Sequence, residues 1–184
     1  MNPAPLLPDT VEVLISAREI AGRVTALAEE IAKKLPPDLM IVSLLRGSFV
    51  FTADLIRALH LVTAKNIRPQ VDFMTLASYG RGTTSSGTIQ IVRDLTENVE
   101  GRDVLIVDDI LESGRTLTFA RELVESRKAK SIRIAVLLEK PGKRKVDIRA
   151  DFIGFVIPDK FVVGYGLDYA NYYRELPFIG VISA

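Results

Sequence analysis

An α/β fold with a mostly parallel central sheet and helices on both of its faces is predicted by three features of the chain. Short runs of branched apolar residues recur, continuous rather than alternating, as in strands buried on both faces. Between them, apolar residues return every three or four positions, the spacing of one helix face. Strands and helices alternate along the chain, an order that builds right-handed crossovers over a parallel sheet. With 184 residues, 48% of them hydrophobic, the chain suits one domain spanning 1–184, with residues 1–10 as an N-terminal arm.

The elements follow in order. After the Pro-rich arm, Val11 to Ile15 reads as a short strand. Ser16 with Glu19 three residues on is a capping box, and Ile20, Val24, Leu27, Ala28 and Ile31 give the helix its apolar stripe until Pro36-Pro37 stop it. Leu39 to Leu45 is a buried strand that breaks at Arg46-Gly47-Ser48. A helix carrying Val50, Phe51, Leu55, Ile56 and Leu59 follows, with His60 at its end and on the surface. Val71 to Ala77 is a third strand. The ten residues Ser78 to Gly87, three of them Gly, are read as a lid loop rooted at Tyr79. Thr88 to Arg93 returns as the second limb of a hairpin, and Glu100-Gly101-Arg102 turns the chain into the strand at Val104. Ser131 to Leu138 and Phe152 to Ile157 are further strands, Asn171 to Leu176 a helical turn, and Phe178 to Ile182 the last strand.

The stretch that carries the chemistry is Val104 to Leu117. Four branched apolar residues form a strand, Asp108 and Asp109 stand where it emerges, and Ser113-Gly114 turn into a helix opened by Arg115 and Thr116. Leu117, Ala120, Leu123 and Val124 mark that helix's buried face. Unpaired amides at a helix N-terminus bind phosphate, while Gly allows close approach and hydroxyls add donors. An ordinary turn capped by Ser113 would explain the serine but not two acids at the strand's end. The turns at Arg46, Ser78, Asp108 to Thr116 and Lys140 all follow strands, so one edge of a parallel sheet gathers them into a cleft.

Composition removes several alternatives. Lys and Arg number 24 against 23 Asp and Glu, so nucleic-acid binding would need a local patch. The run Lys143, Arg144, Lys145 and Arg149 is basic enough to be one, although such runs are mostly solvated loops. Absence of cysteine excludes disulfides and thiolate metal sites, and a single His argues against a His-based zinc centre or a Ser-His-Asp triad. No apolar run approaches the ~18 residues of a membrane span, and Met1 to Asp9 lacks a signal-peptide pattern. A cytoplasmic protein without a membrane partner is expected.

With those loops identified, the chain resembles the type I phosphoribosyltransferases, and within them the hypoxanthine(-guanine) branch. Val104 to Leu117 is similar to the family's ribose-phosphate signature of apolar strand, two acids, two apolar residues, acid, small residue, Gly, any residue and Thr. Lys160 to Tyr169, Lys-Phe-Val-Val-Gly-Tyr-Gly-Leu-Asp-Tyr, resembles the purine-side segment of the 6-oxopurine enzymes almost residue for residue. With Leu45 to Ser48 and Ser78-Tyr79, the likeness runs from about Val11 to Ile182.

The resemblance implies Mg²⁺-dependent transfer of a phosphoribosyl group from 5-phosphoribosyl 1-diphosphate to hypoxanthine, and guanine, giving IMP or GMP and pyrophosphate. It implies a small hood built from the chain ends, and a homodimer or homotetramer. Asp108 and Asp109 would hold the ribose hydroxyls directly or through the metal, and Ser113, Gly114, Arg115 and Thr116 would grip the 5′-phosphate. Arg46 and Gly47, with the Leu45–Arg46 peptide cis, and Arg174 would meet pyrophosphate. Asp168 would serve on the purine side and as a further metal-side carboxylate. Phe161 would stack on the purine, the Val162 backbone would bond its edge, Lys140 would donate to the 6-oxo group, and Ser78 and Tyr79 would close the lid. Glu112 occupies the general-base position that is aspartate in much of the family, and Arg46 stands where lysine is common. Two rivals remain open: an RNA-binding regulator on the same fold, and a transferase for xanthine or a pyrimidine.

Overall fold

Residues 10–62, 67–79 and 88–182 are described by the computed structural model. Strand β1 (Val11–Ile15) leads into helix α1 (Ala17–Lys34), and the expected capping box is formed: Glu19 N donates to Ser16 Oγ at 3.3 Å and Ser16 N to Glu19 Oε2 at 2.8 Å. The helix ends at Lys34, with Leu35 as its C-cap, before the prolines that cannot continue it. Then come β2 (Leu39–Leu45), α2 (Phe49–Val62), β3 (Gln70–Tyr79), β4 (Thr88–Arg93), β5 (Asp103–Leu111), α3 (Arg115–Ser126), β6 (Ser131–Glu139), β7 (Phe152–Val156), β8 (Val162–Val163) and β9 (Ile179–Ile182). His60 is exposed in the last turn of α2. Among the described residues no helix is long and apolar enough to cross a membrane.

Six strands form the main sheet in the order β4-β3-β2-β5-β6-β7, parallel throughout except for β4, which runs antiparallel to β3 as the return limb of a hairpin. Alternate residues of each buried strand feed opposite faces. Leu39 and Ile41 of β2 and Leu105 and Val107 of β5 pack with Leu27, Ile31, Phe51 and Leu55 of α1 and α2. Their neighbours Met40, Val42, Val104 and Ile106 pack with Leu117, Ala120 and Val124 of α3. The sheet is covered on both faces, as predicted. A second antiparallel sheet, β1-β9-β8, joins the chain ends into the expected hood.

Several local expectations change. Strand β5 does not end before Asp108: its pairing with β6 runs through Asp108↔Val136 and Leu111↔Glu139, whereas pairing with β2 stops at Ser43↔Val107. The two acids therefore lie inside the strand, on a side that β2 has left. Strand β3 continues through Ser78 and Tyr79, opposite Ile89 and Thr88. The side chains of those two residues, and the rest of the lid expected over 80–87, lie outside the described residues. Residues 171–176 are not helical, because Ala170, Asn171 and Tyr173 have φ of 52°, 70° and 74° and a right-handed helix cannot pass through left-handed residues. The cap position of α3 is Gly114, at φ 82° and with no side-chain bond of its own, while Ser113 Oγ accepts the Arg115 amide at 3.4 Å.

Candidate active site

In open parallel sheets ligands sit beyond the carboxyl ends of the strands, where the chain reverses its direction of travel across the sheet. Here that point lies between β2, whose successor β3 goes one way, and β5, whose successor β6 goes the other. Arg46-Gly47 and the 108–117 stretch flank it, and the latter lines a cavity of about 230 Å³. The Leu45–Arg46 peptide is cis, as the resemblance implied. Ser43 Oγ lies 2.8 Å from both Ser48 Oγ and Thr52 Oγ1, and Ser48 Oγ also donates to Leu44 O, so a buried hydroxyl network ties β2 to the start of α2.

Gly47 is required by its neighbours. A Cβ there would fall 1.6 Å from Asp109 Oδ2, so the carboxylate rests directly on the glycine. Gly47 O in turn would lie 2.2 Å from a Cβ on Gly166, whose φ is 101°. Asp108 is buried, and desolvation followed by the neighbouring Asp109 charge raises its carboxyl well above the usual range. Burial also raises Asp109, against opposing hydrogen bonds and the Arg174 charge. Such a pair destabilises the free protein once ionised. A raised folded-state pKa means stability present at low pH is lost as pH climbs through the raised value. Asp108→Asn should therefore raise the melting stability of the ligand-free protein by about 1–2 kcal/mol at neutral pH, the gain shrinking toward about pH 4. Thermal melts of both proteins across that interval would read it; a gain independent of pH contradicts the account.

Two adjacent carboxylates that form no ion pair among the described residues are hard oxygen donors of the kind Mg²⁺ accepts, together with waters and substrate oxygens. Among the described residues no three acids or histidines gather closely enough to hold an ion, and Asp168 carries partners of its own. Its Oδ1 lies 2.7 Å from Arg174 Nη2 and its Oδ2 accepts the Asn171 amide at 2.7 Å. Arg174 Nη1 donates to Gly166 O at 2.6 Å, so its guanidinium braces the 166–168 loop within electrostatic reach of Asp109. Arg46 is exposed and approaches Asn171 Oδ1 at 3.4 Å.

The cradle is assembled from its carbonyl side. Leu111 O accepts from Lys140 N at 3.0 Å and Arg144 Nη1 at 3.1 Å, Glu112 O from Arg144 Nη1 at 2.8 Å, and Ser113 O from Lys145 N at 2.9 Å. The amides of Ser113 and Gly114 meet no acceptor among the described residues, and a Cβ on Gly114 would lie 2.6 Å from Ile148 Cγ2. Thus part of the basic run packs beneath the loop instead of forming a solvated face. Lys143 is compensated as well, 2.5 Å from Asp159 Oδ2.

Lys140 is a buried cation, 6% exposed, whose ammonium lies 3.4 Å from Glu112 Oε1. Glu112 itself remains about half exposed. Phe161 is 56% exposed and meets Tyr169 edge to face, with ring centroids 5.8 Å apart. Buried Val162 lies in β8, an edge strand of the hood that pairs only with β9 among the described strands. Between Gly164 and Gly166, Tyr165 adopts φ 51° and donates its hydroxyl to Asp54 of α2. Burial, then that bond, raises the phenol's pKa and keeps it a donor. Neither Tyr165–Asp54 nor Arg144 stood out in the sequence. The Gly-Tyr-Gly pattern was the available signal for the first; the second was hidden in a run of surface-like charges.

A family model described as the phosphoribosyl transferase domain matches residues 12–170. Over 176 residues the chain is 47% identical to the hypoxanthine phosphoribosyltransferase of Escherichia coli (strain K12), covering 94% of this chain and 96% of that one. It is 49% identical over 176 residues to the hypoxanthine-guanine phosphoribosyltransferase of Bacillus subtilis (strain 168), covering 95% and 94%. A crystal structure of a hypoxanthine phosphoribosyltransferase from Staphylococcus aureus superposes with a TM-score of 0.86 at 43% identity, covering 94% of this chain and 91% of that one.

Proposed function

The chain belongs to the phosphoribosyl transferase family, and from that premise we infer that it is a purine-salvage enzyme of the hypoxanthine phosphoribosyltransferase kind. It moves the 5-phosphoribosyl group of 5-phosphoribosyl 1-diphosphate to hypoxanthine, and to guanine, releasing pyrophosphate with IMP or GMP. One observation carries the purine half of this reading: a buried ammonium, Lys140, faces Glu112 across the strand ends beside the phosphate cradle.

Each residue then has a task. Amides and hydroxyls of Ser113 to Thr116, including the Arg115 backbone, bind the 5′-phosphate at the start of α3. Asp108 and Asp109 hold the ribose hydroxyls. Breaking the anomeric C–O bond gives the ribose oxocarbenium character, so this end of the site must steady a departing anion and exclude water. The Arg46-Gly47 turn, with Arg174 behind it, receives the pyrophosphate. Phe161 offers a face for stacking, the Val162 backbone bonds the purine edge, and Lys140 donates to the 6-oxo oxygen. An amino group at that position would set a donor against the ammonium, so adenine is rejected. Ser78 and Tyr79 close the lid. Mg²⁺ would be held by Asp108 and Asp109, and on the purine side by Asp168, where it supplies charge neutralisation for the diphosphate.

The enzyme works as a single domain in the cytoplasm, as a homodimer or homotetramer, and needs neither membrane nor nucleic acid. Steady-state rates on hypoxanthine, guanine, xanthine, adenine and a pyrimidine, with and without Mg²⁺, test the reading. Turnover of hypoxanthine that requires the metal is expected. No turnover of any base, with salt-sensitive retention of RNA, would overturn it.

A further inference from the structure

We propose that Arg144 is a positioning residue for the phosphate cradle, fixing the Glu112–Ser113 peptide plane at its centre so that the Ser113 amide faces the 5′-phosphate. The inference rests on the reading of that loop as a phosphate site given above.

The argument begins with peptide geometry. In a planar trans peptide the C=O and the following N–H point in opposite directions, so fixing one fixes the other. Arg144 Nη1 donates to Leu111 O and Glu112 O at 3.1 and 2.8 Å, which turns the amides of Glu112 and Ser113 away from the arginine. Lys145 N does the same for Ser113 O at 2.9 Å, and so for the Gly114 amide. Leu111 O and Ser113 O keep the Lys140 and Lys145 amides, so without the guanidinium it is the Glu112–Ser113 plane that could rotate and present its oxygen to the phosphate, replacing attraction by repulsion.

The guanidinium is itself fixed. Its Nε donates to Ile148 O at 3.2 Å and its Nη2 pairs with Glu139, so four acceptors on three segments share one planar fork. That division suits arginine and not lysine, whose ammonium is a single point of donation. Neutralised by Glu139 and three-quarters buried, Arg144 adds orientation to the cradle and not free charge. Ile148 and Val146, carried on the same strap, touch the position of a Gly114 Cβ at 2.6 and 3.1 Å, so the strap also sets the height of the loop.

Arg144→Met keeps the apolar stem and removes the fork. We expect the KM for phosphoribosyl diphosphate to rise about tenfold or more, with the KM for hypoxanthine within about twofold. Calorimetric titration with ribose 5-phosphate should show the same weakening, and Arg144→Lys should recover part of it. A purely structural role predicts instead that both KM values shift together, which would overturn the proposal, as would wild-type affinity in Arg144→Met. If that variant does not fold, Arg144→Lys carries the test, and an unchanged phosphoribosyl diphosphate KM there also overturns it. A wild-type chain inactive on purines that still binds ribose 5-phosphate, with binding weakened in the variants, would remove the purine assignment and leave the strap standing.

Discussion

Glu112→Gln is expected to lower kcat with hypoxanthine by about 10²–10³-fold while the KM for phosphoribosyl diphosphate stays within about twofold. In the proposed reaction the proton on purine N7 must leave as N9 bonds to the anomeric carbon, and Glu112 is the carboxylate that stands between the 113–116 turn and Lys140. Gln has the same length and its amide oxygen still accepts from Lys140, now 3.4 Å from Glu112 Oε1, so the variant removes the base and keeps the contact. The cradle amides are backbone groups and their carbonyls are tied by Arg144, Lys140 and Lys145, which explains why phosphate binding should survive. Half-exposed, Glu112 can pass its proton to solvent, unlike a fully buried acid. Glu112→Asp, which retains the acid and withdraws it by one methylene, should cost less than about tenfold. Single-turnover rates decide the matter, and a Gln variant with wild-type kcat removes Glu112 from the mechanism.

Periodicity made the α/β sheet legible because β2, β5 and β6 are apolar on both faces and α1 carries an explicit cap and stop. That the acid pair, the 113–116 turn and Lys140 share one end of the sheet was legible because each stands at or after a buried strand. Other features depend on contacts between distant segments, which no local pattern encodes. Asp108 and Asp109 looked like a strand's end, yet β6 extends the ladder past them while β2 turns off at Arg46. Residues 171–176 have helical composition, but the Asp168 carboxylate captures the Asn171 amide and the carbonyls of Arg174 and Leu176 accept from Gly166 and Tyr165. Arg144 read as surface charge because two of its acceptors, the backbone oxygens of Leu111 and Glu112, lie 33 and 32 residues away, invisible to any count of charges.

Lys140→Met is expected to reduce kcat/KM for hypoxanthine by about 10²–10³-fold and to narrow the preference for hypoxanthine over adenine, with little loss of stability. A buried ammonium is costly unless its donors are used, and in the ligand-free protein Glu112 is its ion-pair partner among the described residues, at 3.4 Å. In the proposed role a 6-oxo oxygen would add a second acceptor at the same nitrogen, so binding would repair an incompletely satisfied buried charge. That gives discrimination beyond what shape can supply, since hypoxanthine and adenine differ little in outline but oppositely in hydrogen-bond sense. Methionine fills nearly the same volume without a charge, and the carboxylate left behind is half-exposed, so solvent can take over its hydration. The fold should therefore tolerate the change and melting temperature should hold or rise. Paired assays on hypoxanthine and adenine separate the outcomes: a hypoxanthine kcat/KM within about threefold of wild type would place recognition of the 6-position elsewhere. Loss on hypoxanthine without any relative gain for adenine would make Lys140 a general support for the purine pocket and not its selector.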